Sequence, residues 1–333
     1  MKAAWAWWVA FWSEEEPPVV LAVLRILVGL VILQDVGSML WTQDVAWLFV
    51  DDTHGGLVAP GKGPFWLAWL GGATWGNVVG LLATTCLFAA LLTVGLGGRL
   101  VPLVLIQLLM AVFDLHPGTG GGHDRVMTNL CWLLVLGPST ATFSVDAWRR
   151  TGRWHDPTPV LALARRLGVF QLVLMYTVTG FAKQGSAWFA MERFTAVYRA
   201  LLNPSWARWD LAGVLGHPVA FAATQLGTVG SWWWEALWPV LLVHLLLRHP
   251  PLAHTRLGRL NARWDLRWPF VVLGVVTHGV LFALMNLGPF SAITLSLYVT
   301  LLRPDDRVVR WLQGAAHTQD GGPPPAQEAA AGT

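Results

Sequence analysis

Charge is scarce in this chain: Asp, Glu, Lys and Arg make up 12% of it, and lysine occurs only at Lys2, Lys62 and Lys183. A soluble domain carries about 25% charged residues, so a surface that faces water throughout is excluded. Cysteine is nearly absent. Cys86 and Cys131 both sit inside apolar runs, where they read as small buried core residues rather than a disulfide or metal pair. The histidines lack His-x-x-x-His spacing, so no metal site is expected. There is no Walker loop and no dinucleotide fingerprint. No basic run carries base-reading aromatics, which excludes nucleic acid as the partner behind the formal net charge of +3. The halves show no inverted repeat and no paired interrupted helices, which argues against a solute transporter.

What is present is apolar. Hydrophobic residues form 55% of the chain, mean hydropathy is +0.51, and there are 22 tryptophans. The expected fold is all-α, a polytopic transmembrane helical bundle of about eight spans plus interfacial helices. The first four spans are Val19–Trp41, Asn77–Leu96, Leu100–Leu115 and Val126–Thr142. The later four are Leu167–Phe181, Ser231–Leu247, Trp268–Met285 and Pro289–Leu302. His217–Gly230 is a ninth apolar stretch, in which Gly227 and Gly230 suggest a break before Ser231, so it reads as a half-helix or an extension of the sixth span.

Three regions follow from this pattern. Residues 1–16 form an interfacial segment, because the run Trp5–Trp12 is tryptophan-dense, meets Glu14–Glu16 and lacks a cleavage pattern. Residues 17–311 form the transmembrane domain, and 312–333, with Gly321-Gly-Pro-Pro-Pro-Ala, form a disordered cytoplasmic tail. Trp188–Leu202 has helical periodicity with aromatics and reads as a further interfacial helix. Arginines collect at 99, at 149–166, at 248–267 and at 303–310, whereas the alternate loops mix few cations with Asp44, Asp51, Asp52, Asp124, Glu192 and Asp210. The positive-inside rule then puts both termini in the cytoplasm, with the chain in the cell's inner (cytoplasmic) membrane.

Charged groups within a bilayer cost at least about 2.5 kcal/mol and mark functional pathways. Asp35, Asp114, His116, His123, Asp124, Lys183, Glu235 and His278 all fall in the outer half of the expected spans; Arg25 alone lies in the inner half. One-sided clustering suits a pocket opening to the outer face. Lys183 closes the run from Leu172, where desolvation penalises an ammonium and can turn the amine into a general base; the plainer reading is a lysine snorkelling to headgroups. His278 reads either as a proton-transfer group or as a core histidine bonded to a carbonyl. His123 follows the flexible Gly118–Gly122 turn, which lets backbone approach a ligand, though a loop histidine is more often solvated. Asp35, Asp114 and Glu235 read most simply as partners of helix ends or cations.

Three stretches together carry a resemblance. They are Gly122-His-Asp124 leading to Phe143–Trp148, Tyr176–Lys183 followed by Trp188, and Thr277–Ser291; the first span, Leu24–Asp35, fits the same pattern. They resemble the membrane core of vitamin K-dependent gamma-glutamyl carboxylase and its bacterial relatives, the HTTM (horizontally transferred transmembrane) domain proteins, from about Val19 to Arg303. The resemblance implies that Lys183 deprotonates a reduced vitamin K-type quinone, that His123 serves the carboxylation step, and that His278 belongs to the same catalytic set. Asp35, Asp124, Trp188 and Glu235 then line the cofactor pocket, with O2 and CO2 as co-substrates. The carboxylase has two adjacent lysines where this chain has Ala182-Lys183, and no soluble module for a protein substrate is expected after the last span.

Two functions follow. One is a quinol-oxidising, carboxylase-like membrane enzyme working at the outer face on a small substrate or with a partner subunit. The other is a non-catalytic membrane protein that binds lipid or a partner subunit, in which Lys183 merely pairs with a phosphate or with a carboxylate such as Glu235.

Overall fold

The computed structural model describes residues 2–42, 45–59, 61–115 and 120–319. The chain is helical, and its only strands among these residues are two-residue segments, Glu15–Glu16 and Val160–Leu161, paired antiparallel. The principal helices are α1 (Lys2–Ser13), α2 (Val19–Trp41), α3 (Trp75–Val94), α4 (Leu100–Leu115), α5 (Gly122–Leu136) and α6 (Leu163–Ala182). They continue as α7 (Ala196–Leu202), α8 (Pro218–Ala236), α9 (Trp238–Leu246), α10 (Arg267–Leu284), α11 (Phe290–Tyr298) and α12 (Arg307–Gln319). Two compact units emerge. One comprises Met1–Ser13, Thr119–Met127 and Arg166–Leu301; the other comprises Glu14–Gly118, Thr128–Arg165 and Leu302–Thr333.

Among the described residues, three helices are long and apolar enough to cross a membrane: α2, α3 and α10. At 1.5 Å per residue, α2 with its 23 residues reaches about 34 Å, against a hydrocarbon core of about 30 Å. The rest of the eight expected stretches are shorter or less apolar; α4 and Phe290–Leu301 are apolar but short. On α10 the ordinary arrangement of a soluble helix is inverted. Val272, Val275, Val276, Val280 and Phe282 point outward, while Gly274 and His278 are buried. An outward apolar face with a polar inner face is the pattern of a helix solvated by lipid.

The second unit is built on α2 packed along α3. Thr74 starts α3, its hydroxyl accepting from the Asn77 N–H, and Gly95 ends it in a left-handed conformation (φ 72°). A side chain is excluded at Gly95, because a Cβ there would lie 2.5 Å from Arg25 Nη1 and 2.4 Å from Ser144 Cβ. Arg25, fully buried on α2, donates from Nη1 to the Ser139 carbonyl (2.8 Å) and from Nη2 to those of Phe143 (2.5 Å) and Thr93 (3.5 Å). The cation expected in the inner half of the first span thus acts as a clamp on backbone carbonyls. In the same unit Arg165 makes a two-pronged ion pair with Glu16, both buried.

Several expectations change. Of the two readings of the ninth apolar stretch, the half-helix is not formed and the extension of the sixth span is: α8 runs unbroken through Gly227 and Gly230 into Ser231 from a His217 cap. The break falls at Leu237 instead, because Pro239 lacks the N–H that would continue the ladder. Trp188–Leu202 is not one helix. Two short 3-10 turns precede α7, and Arg193 (φ 56°) and Phe194 (φ 57°) adopt left-handed conformations that end any helix there. The expected disordered tail begins with helix, since α12 extends to Gln319; residues 320–333 lie outside the described residues, as do His116 and Asp44. Cys131 is buried as expected, whereas Cys86 is half-buried; both are free thiols.

Candidate functional site

The first unit holds the catalytic candidates. Helix α6 ends at Ala182, and Lys183 follows immediately, its N–H bonded to the Gly180 carbonyl. The Lys183 Nζ sits 2.5 Å from Glu235 Oε1 on α8, with side chains only 17% and 13% exposed. On its other side the ammonium faces the Trp188 ring, 4.6 Å from the centroid. A carboxylate and an aromatic face are the two natural partners of a sheltered ammonium. Lys183 is therefore paired on both sides and largely sheltered.

Close backbone approach makes the pair. A Cβ at Gly180 would lie 2.7 Å from the Ala236 nitrogen and 3.0 Å from Glu235 Cβ, so only glycine lets α6 meet α8 at the residue that reaches Lys183. Glu235 Oε2 is buried and has no hydrogen-bond partner among the described residues. This atom can accept a hydroxyl hydrogen from a ligand.

Farther back along α6, Tyr176 is buried in an aromatic group. Trp238 stacks on it (4.5 Å, 15°), and Trp234, the neighbour of Glu235, meets it edge-on (4.6 Å, 61°). Its hydroxyl lies 2.6 Å from His278 Nε2 and accepts a bond from the Tyr298 hydroxyl at 2.9 Å. Tyr298 crosses α10 at Gly274, where a side chain would collide with its hydroxyl. His278 is thus held by a phenol rather than by the backbone carbonyl of the plainer reading.

His123 opens α5 and contacts Asp124 through Nε2 at 3.0 Å, while Asp124 also accepts from the Gly121 N–H at 3.0 Å. The His123 ring lies against Gly288, which leads into α11, and Phe290 of that helix packs on His278 (5.6 Å). Side-chain contacts thus join Phe290, His278, Tyr176 and Trp234 in one group and Glu235, Lys183 and Trp188 in another; the chain neighbours Trp234–Glu235 and Gly288–Phe290 link these groups and the His123–Asp124 pair into one strip. Asp35 is buried on α2 in the second unit. Asp114 lies on α4, also in that unit. Among the described residues no group of three His, Cys, Asp or Glu side chains is placed to hold a metal ion.

Composition, helical architecture and the order of these elements meet one further observation: the HTTM domain profile matches residues 14–213, more than half of the chain. The chain belongs to the HTTM family. As an HTTM protein with helices apolar enough to span a bilayer, it is a membrane protein. No curated protein and no solved structure matches it. The matched region includes Lys183, His123, Asp124, Asp35 and Trp188, and ends before Glu235 and His278. Sequence reasoning passed over Tyr298, Trp234, Trp238 and Gly180 as members of this HTTM protein's site. The scarcity of tyrosine was the available signal for the first, because two of the three tyrosines in the chain converge on His278.

Proposed function

We propose that this protein is an inner-membrane enzyme of about eight spans with both termini in the cytoplasm, which oxidises a reduced vitamin K-type quinone at the outer face. Lys183, Glu235, Trp188 and His278 hold the quinol, and His123 with Asp124 stands at the far end of the strip. The single observation that carries the reading is the sheltered Lys183–Glu235 pair with its unanswered carboxylate oxygen. A quinol supplies an acidic hydroxyl and planar rings; the free Oε2 accepts the first and the indole faces suit the second. Proton transfer within the pair, from Nζ to Oε1, leaves a neutral amine that takes up the quinol proton. O2 and CO2 are the co-substrates of a carboxylase-like reaction, and a small substrate or a partner subunit receives the carboxyl group.

Purified protein in lipid nanodiscs, given reduced naphthoquinone, bicarbonate and oxygen, is expected to form quinone epoxide, detectable by mass spectrometry. Lys183→Ala is expected to lower that rate by about 10²–10⁴-fold, the usual worth of a general base. Full activity of Lys183→Arg would refute the base role, because arginine keeps the charge but does not deprotonate. The second reading is a non-catalytic membrane protein that binds lipid or a partner subunit. The completeness of the Lys183 pairing, carboxylate on one side and indole on the other, favours it. Wild-type protein that makes no epoxide supports this second reading.

A further inference from the structure

The loop between α5 and α6 carries a run that the site in the first unit does not use: Trp148-Arg-Arg-Thr-Gly-Arg-Trp154. It belongs to the second unit and is tightly built. Ser144 caps a seven-residue helix, Val145–Thr151, its hydroxyl accepting from the Ala147 N–H, and Gly152 ends that helix at φ 72°. The Phe143 N–H donates to the Trp154 carbonyl (2.7 Å) and closes the segment at its base. The Trp148 and Trp154 indoles stack, 6.2 Å apart at 23°, yet the two residues remain 49% and 52% exposed.

The depth of the segment follows from what it sits on. Helix α3 is apolar, and its 20 residues reach about 30 Å, the thickness of a hydrocarbon core. Gly95 ends α3, and its carbonyl accepts from the Asp146 N–H at 3.1 Å. The Asp146 carboxylate in turn accepts from the Gly97 (3.2 Å) and Gly98 (2.7 Å) N–H groups. The indoles are thus tied to the end of a helix long enough to span, at headgroup level, where an apolar ring with a polar edge is best solvated.

The charge there is one-sided. Asp146 is occupied by backbone N–H groups, and Asp156 pairs with Arg150 at 3.0 Å. Arg149 and Arg153 are exposed and form no ion pair among the described residues. Two uncompensated guanidinium groups beside two interfacial indoles match a phosphodiester held at the bilayer surface. An acidic protein segment would answer the charges but not the depth.

We propose that the segment Phe143–Asp156 is a docking face for anionic phospholipids, in which Arg149 and Arg153 pair with lipid phosphates and Trp148 and Trp154 lodge among the headgroups. The face is independent of the quinol reading, since it lies in the second unit whereas Lys183, Glu235 and His278 lie in the first.

The test uses full-length protein carrying 5-fluorotryptophan, in nanodiscs of phosphatidylcholine alone or mixed equally with phosphatidylglycerol. Trp148→Phe and Trp154→Phe assign the two fluorine signals, and both are expected to shift when phosphatidylglycerol is present. Native mass spectrometry is expected to find phosphatidylglycerol bound in preference to phosphatidylcholine. Arg149→Gln combined with Arg153→Gln should cut that preference about 25-fold, about fivefold per arginine. Lysine at both positions should keep most of it, because the charge stays. All four side chains are exposed, and circular dichroism checks that each variant stays helical. Equal binding of the two lipids, unmoved fluorine signals, or an unchanged preference in the folded double glutamine variant overturns the proposal. So do signals that move as far with soluble glycerol phosphate, which would assign free phosphate, or that move only with polyglutamate, which would assign a protein partner. Epoxide formation plays no part in either readout.

Discussion

Replacing Glu235 by leucine tests whether the Lys183 pair is electrostatically sheltered. Removing one partner from a buried ion pair costs about 3–5 kcal/mol because the remaining charge is stranded, whereas an exposed pair is worth about 0–1 kcal/mol. With side chains 17% and 13% exposed, the pair lies near the buried limit. The Trp188 ring stays in place and returns roughly 0.5–2 kcal/mol through its face. The expected cost of Glu235→Leu is therefore about 3 kcal/mol, measured by SDS-driven reversible unfolding followed by tryptophan fluorescence. Lys183→Met removes the stranded charge, so the double variant should recover about 1.5–2.5 kcal/mol of the summed single losses. Additivity to within about 0.5 kcal/mol in that cycle would refute the reasoning, since neighbours that share one charge balance must couple.

Gly180→Leu should cost about 1–3 kcal/mol in the same assay and lower epoxide formation, because its Cβ would press on the Ala236 nitrogen at 2.7 Å. Arg25→Met should destabilise by about 2–4 kcal/mol, leaving the Ser139 and Phe143 carbonyls without their donor; Arg25→Lys should rescue little, since one ammonium cannot span both. Asp265, in the loop before α10, sets an acid-side dependence. Burial pushes its carboxyl up, but hydrogen bonds and charge from Arg267 outweigh this and bring it down to about 2 from 3.8. A depressed folded value means the stabilisation is present above about pH 4 and is lost as pH falls towards 2. Asp265→Asn should flatten the unfolding free energy between those limits, and an unchanged slope would refute the contact.

Much of the architecture was legible from composition and periodicity. An apolar run of 23 residues with few charges has few alternatives to a spanning helix, so α2 appears with the bounds its hydropathy predicts. Where single residues decide, one-dimensional signals misled. Gly227 and Gly230 looked like a break, yet glycine only weakens a helix, whereas Pro239 removes a donor and does break it. Periodicity across Trp188–Leu202 could not reveal that Arg193 and Phe194 take left-handed conformations. Rarity was the better guide to the site: one lysine of three and two tyrosines of three lie on it.

The sequence by itself determined that the chain is helical, suited to lipid and a carrier of few, costly charges, because hydropathy and residue type act locally and need no partner. Tertiary structure decided which charges meet: the sequence offered a phosphate or a carboxylate such as Glu235 as the partner of Lys183, and packing selects Glu235. Glu235 is 52 residues from Lys183, and Tyr176 is 102 from His278; their pairing depends on a glycine contact between helices and on which face each helix buries. Such distances close only when the chain packs, and packing also sets His278 against the Tyr176 hydroxyl and leaves Glu235 with an oxygen to offer.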